Sequence, residues 1–316
     1  MAPNQESHVY RIAGLPPEVD SRVMAKSFLD EFFGSDSQTT VRSLGAHHQR
    51  DSMVAIATFS RTPDRLRQGT SWTWENAVHL GNKSLTVRLE IDTSFLGFTP
   101  LNTVSGDDRG TIDFIAVSSL SSHPFGSWKQ RGDPFMWLVD DDDCVSPNVR
   151  TLLYGYDSSL FSSMSFQDLC DIENALASAV TGLRPQPAHA ASSRPRPIVF
   201  LAHSLGGLVV KQAICHLSRT DPANTQCVHG LVFFGVPHDG LLVEPWLRIM
   251  GNEPNWRLID NLRPGSRVLQ RLSENFIEAF TYPSTRVISI FETLQSRTTI
   301  HGAFQKECIC PHMGIG

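Results

Sequence analysis

The chain has 316 residues, of which 41% are hydrophobic and 19% charged, with a formal net charge of −5. This is ordinary water-soluble globular composition with room for two domains. The mild acidity excludes a chain that binds nucleic acid over its whole surface. No apolar run approaches the roughly 20 residues that a membrane-crossing helix needs. The opening residues MAPNQESHVYRI lack the apolar stretch of a secretory signal. The six cysteines are scattered, which points to thiols in a reducing intracellular compartment rather than to a disulfide framework.

In chain order, His8 to Gly14 reads as a strand, and Asp20 to Phe33 as a helix with Val23, Met24, Phe28 and Phe32 at helical spacing, capped by Asp20 or Ser21. Thr39 to Leu44 and Met53 to Phe59 read as strands, Pro63 to Arg67 as the start of a short helix, and Ser84 to Ile91 as an alternating strand. The order β-α-β-β-α-β is the ferredoxin-like pattern, expected over residues 1–105. RNA-binding domains share that pattern but stack bases on aromatics of a central strand. Here the matching stretch, Arg50 to Phe59, has Ser and Val at those places. The expectation is therefore no nucleic acid, and a module that packs or docks a protein partner. His47 and His48 read as a surface pair.

A second unit is expected over residues 106–316. Its apolar runs Ile112 to Val117, Val149 to Tyr154, Pro197 to His203, Gly230 to Phe234 and Arg286 to Phe291 are of parallel-strand type. Helical segments alternate with them: Phe166 to Leu183, Leu205 to Ser218, and Leu242 to Phe280 broken near Pro254 and Pro264-Gly265. Together they indicate a doubly wound α/β sheet. The Pro/Ala/Ser/Arg-rich stretch from Pro185 to Pro197 reads as a surface loop.

Ala202-His203-Ser204-Leu205-Gly206 is the G-x-S-x-G pattern with alanine in the first position. A serine nucleophile at a tight strand-to-helix turn needs small residues two before and two after it. The helix behind it offers backbone N–H groups to a developing oxyanion. The five-residue pattern alone is common. Its context is not, because Ile198 to Leu201 is a buried-type strand and Gly207 to Ile214 continues as an apolar-faced helix. The rival reading of Ser204 is an ordinary helix-capping serine.

PIVFLAHSLGGLVVKQAI followed by GLVFFGVPHDG resembles the serine esterase group of α/β-hydrolases. That group includes GPI inositol-deacylase-like proteins, serine-active-site proteins of mitochondria and the endoplasmic reticulum, and fungal domains that precede NACHT or repeat modules. DFIAVSSLSSHPFGSW, FMWLVDDDD, NVRTLLYGYDSS and NLRPGSRVLQRLSENF agree, and the resemblance covers roughly Thr111 to Thr293. It implies an α/β-hydrolase fold, no cofactor, and a lipid or other acyl ester as substrate. It further implies an intracellular chain, cytoplasmic or peripheral on an organelle membrane with contact to the membrane surface.

By the same resemblance, Ser204 is the nucleophile and Leu205 N–H the first oxyanion donor, and the second donor comes from Ser119 or Leu120. The family's loop there reads His-Gly-Leu-Gly-Gly, whereas this chain has Ser118-Ser119-Leu120-Ser121-Ser122, so the second donor is the departure. Glu292, at the end of a strand, is the expected acid. The family's Asp-His pair has no counterpart, so His312 is the first candidate base and His301 the second, in a domain read as cut short at its C-terminus. His238 resembles the family's Thr-Pro-His-Arg-Gly turn and is expected to shape it. Cys308, Cys310 and His312 lack the second ligand pair of a zinc site, and Asp140 to Asp143 reads as a solvated helix end. Leu241, Leu242, Trp246, Leu247, Ile249 and Met250 are candidates for an acyl-chain wall. Two functions stay open: a serine esterase, and a catalytically weak hydrolase fold serving as a binding or signalling module.

Overall fold

The protein is seen in a computed structural model, which describes residues 8–80, 83–104, 110–119, 122–130, 133–141, 146–157, 169–183, 196–244, 247, 256–280, 285–291, 296–300 and 303–307. In chain order the first elements are β1 (Val9–Leu15), α1 (Arg22–Phe33), β2 (Thr39–Ala46), β3 (Met53–Phe59), β4 (Ser71–Leu80), β5 (Lys83–Asp92) and β6 (Gly97–Pro100). Next come β7 (Ile112–Val117), α2 (Trp137–Asp140), β8 (Val149–Gly155), α3 (Leu169–Gly182), β9 (Ile198–His203), α4 (Leu205–Thr220) and α5 (Pro222–Gln226). The last are β10 (Val228–Phe234), α6 (Trp256–Asp260), α7 (Arg267–Ala279), β11 (Arg286–Ile290), β12 (Ser296–Ile300) and β13 (Ala303–Glu307). The chain divides into two compact units, Met1–Thr111 with Trp128–Gly155, and Ile112–Ser127 with Tyr156–Gly316.

The first unit holds a five-stranded sheet in the order β2-β3-β1-β5-β4, with antiparallel pairs throughout. Helix α1 starts where Ser21 accepts a hydrogen bond from Met24 N–H at 3.3 Å, a cap that satisfies one of the orphan donors of the first turn. It buries Ala25, Phe28 and Leu29 against Tyr10, Ile12, Ala55, Ala57 and Phe59. The alternate residues of β3, Val54 and Ile56, are buried as well, so both faces of that strand are covered. A Cβ at Gly45 on β2 would lie 2.7 Å from Asn102 O, which shows how closely residues 100–102 approach the sheet. Arg11 holds the stretch before that segment, donating to Asp92 at 2.8 Å, to the Leu96 carbonyl at 2.8 Å and to Thr99 Oγ1 at 3.3 Å.

Two expectations for this unit need correction. The second helix of the β-α-β-β-α-β order is a 3-10 turn over Asp64–Leu66 only, because Leu66 is its single buried residue and Gly69 (φ 96°) follows three residues on. In its place stands a strand, β4, paired with β5 from Ser71↔Asp92 to Leu80↔Lys83. His47 and His48 are not a plain surface pair. Their rings stack at 4.7 Å, and His48 lies edge-on to Phe98 at 5.8 Å. Burial foremost, and then the neighbouring His47, Arg150 and Arg50, push the His48 imidazole down to about 4.

The second unit is built on parallel strands in the order β11-β10-β9-β7. The register is level at their C-terminal ends, where His203 pairs with Phe234 and Phe234 with Ile290. Helix α4 buries Leu208, Val209, Val210, Ala213, Ile214 and Leu217 and packs against α3 and α7. Helix α7 is capped by Ser266, which accepts from Leu269 N–H at 3.2 Å, and it buries Leu269, Leu272 and Phe276. Of the helical stretch expected from Leu242 to Phe280, the described residues include α6 and α7, separated by a turn at Gly265 (φ 72°). No last strand is expected from the sequence, yet β12 and β13 form an antiparallel two-stranded sheet of their own. Among the described residues no helix is long and apolar enough to cross a membrane.

Candidate active site

Strand β9 lies between β7 and β10, and it ends where the backbone bends at Ser204. Ser204 has φ 51° and ψ −123°, a conformation that L-residues other than glycine rarely adopt and that costs on the order of 1–3 kcal/mol. Two main-chain bonds hold the bend. Ser204 N–H donates to Phe234 O at 2.9 Å, and Gly207 N–H donates to Ser204 O at 3.0 Å. The side chain makes no capping bond to the helix it precedes. The rival reading, a capping serine, predicts a hydroxyl engaged with that first turn.

The small residues have separate physical reasons. Ala202 is fully buried between β7 and β10, opposite Val117 and Phe233. A Cβ at Gly206 would lie 2.5 Å from Ser118 O and 2.7 Å from Val117 O, so the first turn of α4 rests on the end of β7. A Cβ at Gly207 would lie 2.2 Å from a methyl of Val236. Gly207 lies outside the five-residue pattern, and its requirement is invisible without the fold.

The loop after β7 is pinned by hydroxyls. Tyr156 OH donates to Ser118 O at 3.0 Å, and Ser122 Oγ donates to Ser119 O at 2.7 Å. Ser127 Oγ donates to Ser122 Oγ at 2.9 Å, and the N–H of Phe125 meets His123 Nδ1 at 3.2 Å. Among the described residues, those with positive φ outside glycine are Gln38, Phe95 and Ser204, so the described loop serines, Ser118, Ser119 and Ser122, sit in ordinary backbone conformations. Where they stand, serine in place of glycine brings no strain.

Of the expected site residues, Ser204, Leu205 and Ser119 are described. Leu205 is the buried first residue of α4, and Ser119 follows Ser118 at the end of β7. Leu120, Glu292, His301 and His312 lie outside the described residues, as do Trp246, Ile249, Met250, Cys308 and Cys310. The strand that leads to Glu292 ends at Ile290, whose carbonyl accepts from Gly235 N–H at 2.8 Å. Among the wall candidates, Leu242 is exposed while Leu241 and Leu247 are half-buried, and Leu241 N–H donates to Leu262 O at 2.8 Å. No group of His, Cys, Asp or Glu that could hold a metal occurs among the described residues. Asp140, expected as a solvated helix end, faces Arg22 at 3.6 Å and Arg42 at 3.9 Å, and its carboxylate accepts from Met136 N–H at 2.9 Å.

The turn after β10 carries His238. His238 N–H donates to Val236 O at 2.9 Å, and Gly240, at φ 97°, donates from its N–H to Pro237 O at 3.1 Å. The imidazole lies edge-on to Phe233 at 5.3 Å. Its Nδ1 is buried without a hydrogen-bond partner. Burial first, and the Lys211 ammonium second, push it down to about 4, so it is neutral at pH 7. Lys211 is half-buried on α4, with Nζ 4.9 Å from the ring centre of Phe276 and 5.9 Å from that of Phe233. Burial pulls it down to about 8 against the opposing fields of Cys215 and Asp239. Sequence spacing gives no sign of this group, because its members come from α4, β10, the following turn and α7.

Residues 121–303 match a model of the alpha/beta hydrolase family, more than half of the chain. The chain is 27% identical over 236 residues to Protein SERAC1 of Homo sapiens, covering 65% of this chain and 34% of that protein. It is 26% identical over 204 residues to Protein SERAC1 of Bos taurus, covering 58% of this chain and 30% of that protein. It therefore spans about a third of the length of the curated relatives it matches. Among solved structures it is similar to the lipase BlEst2 of Bacillus licheniformis in mature form, with 13% identity, TM-score 0.42, and coverage of 63% of this chain and 73% of that one. It is also similar to phospholipase PlaB of Legionella pneumophila, with 18% identity, TM-score 0.41, and coverage of 58% and 39%. With the family match over 121–303 and the parallel sheet beneath the bend at Ser204, this chain belongs to the alpha/beta hydrolase family.

Proposed function

We propose that the protein is a serine hydrolase that cleaves a carboxylic ester of a lipid or other acyl substrate through an acyl-enzyme on Ser204. The observation that carries the reading is the bend itself. A serine is held at φ 51° between a buried strand and a helix, and its hydroxyl is not spent on capping. That geometry supports reading the bend as a nucleophile elbow.

In this mechanism a histidine, His312 or else His301, takes the Ser204 proton as the oxygen adds to the ester carbonyl. Leu205 N–H and an N–H from Ser119 or Leu120 hold the oxyanion, and Glu292 orients the imidazolium. The intermediate collapses, the imidazolium protonates the departing alcohol, and the acyl group stays on Ser204. The same imidazole then deprotonates a water that attacks the acyl-enzyme, which releases the acid and restores the serine. No cofactor takes part. Leu241, Leu242 and their neighbours are proposed as the acyl-chain wall. His301 falls inside the range matched by the family and His312 beyond it, so both need testing.

A fluorophosphonate probe tests the reading, because it reacts only with an activated serine. The wild-type chain should be labelled, and Ser204→Ala should abolish the labelling. His312→Ala and His301→Ala identify the base by the slower rate. An unlabelled wild-type protein favours the second reading, a hydrolase fold used as a binding module, whose support is the lack of a counterpart to the family's Asp-His pair. The α+β unit expected over residues 1–105, with four of its strands in the order β2-β3-β1-β5, is proposed as a ferredoxin-like module that packs or docks a protein partner.

A further inference from the structure

Lys211 stands out because its ammonium has been brought out of bulk water and placed over two rings. Nζ is 4.9 Å from the Phe276 centroid on α7 and 5.9 Å from the Phe233 centroid on β10. A cation over aromatic faces is attracted to them, the more so when desolvated. Phe233 also meets the His238 ring edge-on at 5.3 Å. The ammonium thus stands in the same neighbourhood as the turn Val236-Pro237-His238-Asp239, attracted by Asp239 and opposing protonation of His238.

That turn is attached to the bend in two further ways. Val236 fills the space beside Gly207, where a Cβ would come within 2.2 Å of it, and Gly207 lies one helical turn before Lys211. Phe234, just ahead of the turn, accepts the Ser204 N–H at 2.9 Å. Helix α4 therefore holds the turn at two successive levels, by packing at Gly207 and by charge at Lys211. We infer that Lys211 is a positioning residue: its ammonium, cradled by Phe233 and Phe276, locks the His238 turn and, through Val236 and Phe234, the bend at Ser204. The inference rests on the reading of Ser204 as a nucleophile.

The groups around His238 are few among the described residues. Helix α4 presents Lys211, with Cys215 one turn further on, the turn itself supplies Asp239, and β10 presents the uncharged Phe233. Removing the ammonium should therefore make His238 easier to protonate, while its burial stays. Loosened packing that let water reach the imidazole would raise the midpoint as well, and Lys211→Arg separates the two causes because it keeps the charge.

The experiment titrates the His238 imidazole by NMR in the full chain, assigned by its loss in His238→Gln, and measures the fluorophosphonate labelling rate of the same samples. In Lys211→Met the His238 midpoint should rise from about 4 by about one unit, and labelling should slow about tenfold. Lys211→Arg keeps the charge and the ring contact and should restore both. Should Lys211→Met not fold, Phe276→Leu removes one ring of the cradle and should shift the midpoint the same way by less. An unmoved His238 midpoint in the variant that folds, or an arginine variant no better than methionine, overturns the inference. A wild-type chain that resists the probe while its His238 midpoint still responds to Lys211→Met refutes the hydrolase reading and supports the coupling.

Discussion

Gly207 offers the sharpest test of how α4 meets the turn after β10. A Cβ built there lies 2.2, 2.7 and 3.0 Å from the Cγ2, Cγ1 and Cβ of Val236. Ordinary carbon contacts are about 3.5–4.0 Å, so the nearest methyl must retreat by about 1.3–1.8 Å. Val236 is buried, and its turn is tied by hydrogen bonds at His238 and Gly240, so the strain has little room to spread. Overpacking of this kind costs about 2–3 kcal/mol, against which alanine in a helix gains about 1, leaving Gly207→Ala destabilised by about 1–2 kcal/mol. Val236→Ala alone removes two buried methyls and costs about 2 kcal/mol. In the double variant the new methyl occupies the space vacated by the valine, so the pair should cost no more than Val236→Ala. The coupling is then about 1–2 kcal/mol, well above the additivity expected of distant sites. Urea unfolding of the four proteins, followed by the signal of the hydrolase unit, measures it. Costs that add within about 0.5 kcal/mol would mean that Gly207 and Val236 do not touch, and the packing described under the bend would be wrong. Gly206→Ala is the control, because its clash is with the carbonyl oxygens of Val117 and Ser118, and no side-chain truncation relieves that.

Three more outcomes follow from the same geometry. Ser204→Gly should abolish probe labelling yet raise stability by about 1 kcal/mol, since glycine takes φ 51° without strain; a destabilised variant would refute the strain at that position. Tyr156→Phe removes the hydroxyl that donates to the buried Ser118 carbonyl at 3.0 Å, and should cost about 1–2 kcal/mol and slow labelling, read by denaturation and probe kinetics. His48 and His238 both fall to about 4 in the folded chain, so between roughly pH 6.5 and 4 the unfolded chain binds more protons than the native one. Stability is then complete above about pH 6.5 and declines as the pH falls through that window, and His48→Gln or His238→Gln should each flatten part of the decline in unfolding midpoint against pH.

The elements of the second unit were legible wherever an apolar run was bounded by breakers. Ile112 to Val117 is a strand with the expected bounds, and Arg286 to Phe291 differs by one residue. Strand β4 is also written in the sequence, where Trp72, Trp74 and Val78 alternate with Thr73, Glu75 and Ala77. The Pro63 to Arg67 stretch looks like a helix start in sequence, but with Leu66 as its one buried residue it stays a single turn. Ser204 could be read because its requirement is local: strand, bend and helix are contiguous in sequence. Gly207, Tyr156 and Lys211 could not, because each owes its role to a partner at least 22 residues away, as Lys211 does to Phe233.

The serine loop bears on the choice between enzyme and scaffold. Glycines at such a position matter chiefly if the backbone must take positive φ or if a side chain would block the carbonyl's approach. Ser118, Ser119 and Ser122 need no positive φ, and Ser122 and Tyr156 use their hydroxyls to fasten the loop's carbonyls. Fastening carbonyls leaves peptide N–H groups free to point elsewhere, which is what an oxyanion donor requires. A scaffold, by contrast, gains nothing from holding a serine at φ 51°, when glycine there would remove about 1–3 kcal/mol of strain. The bend at Ser204 weighs toward chemistry, and the loop sequence does not weigh against it.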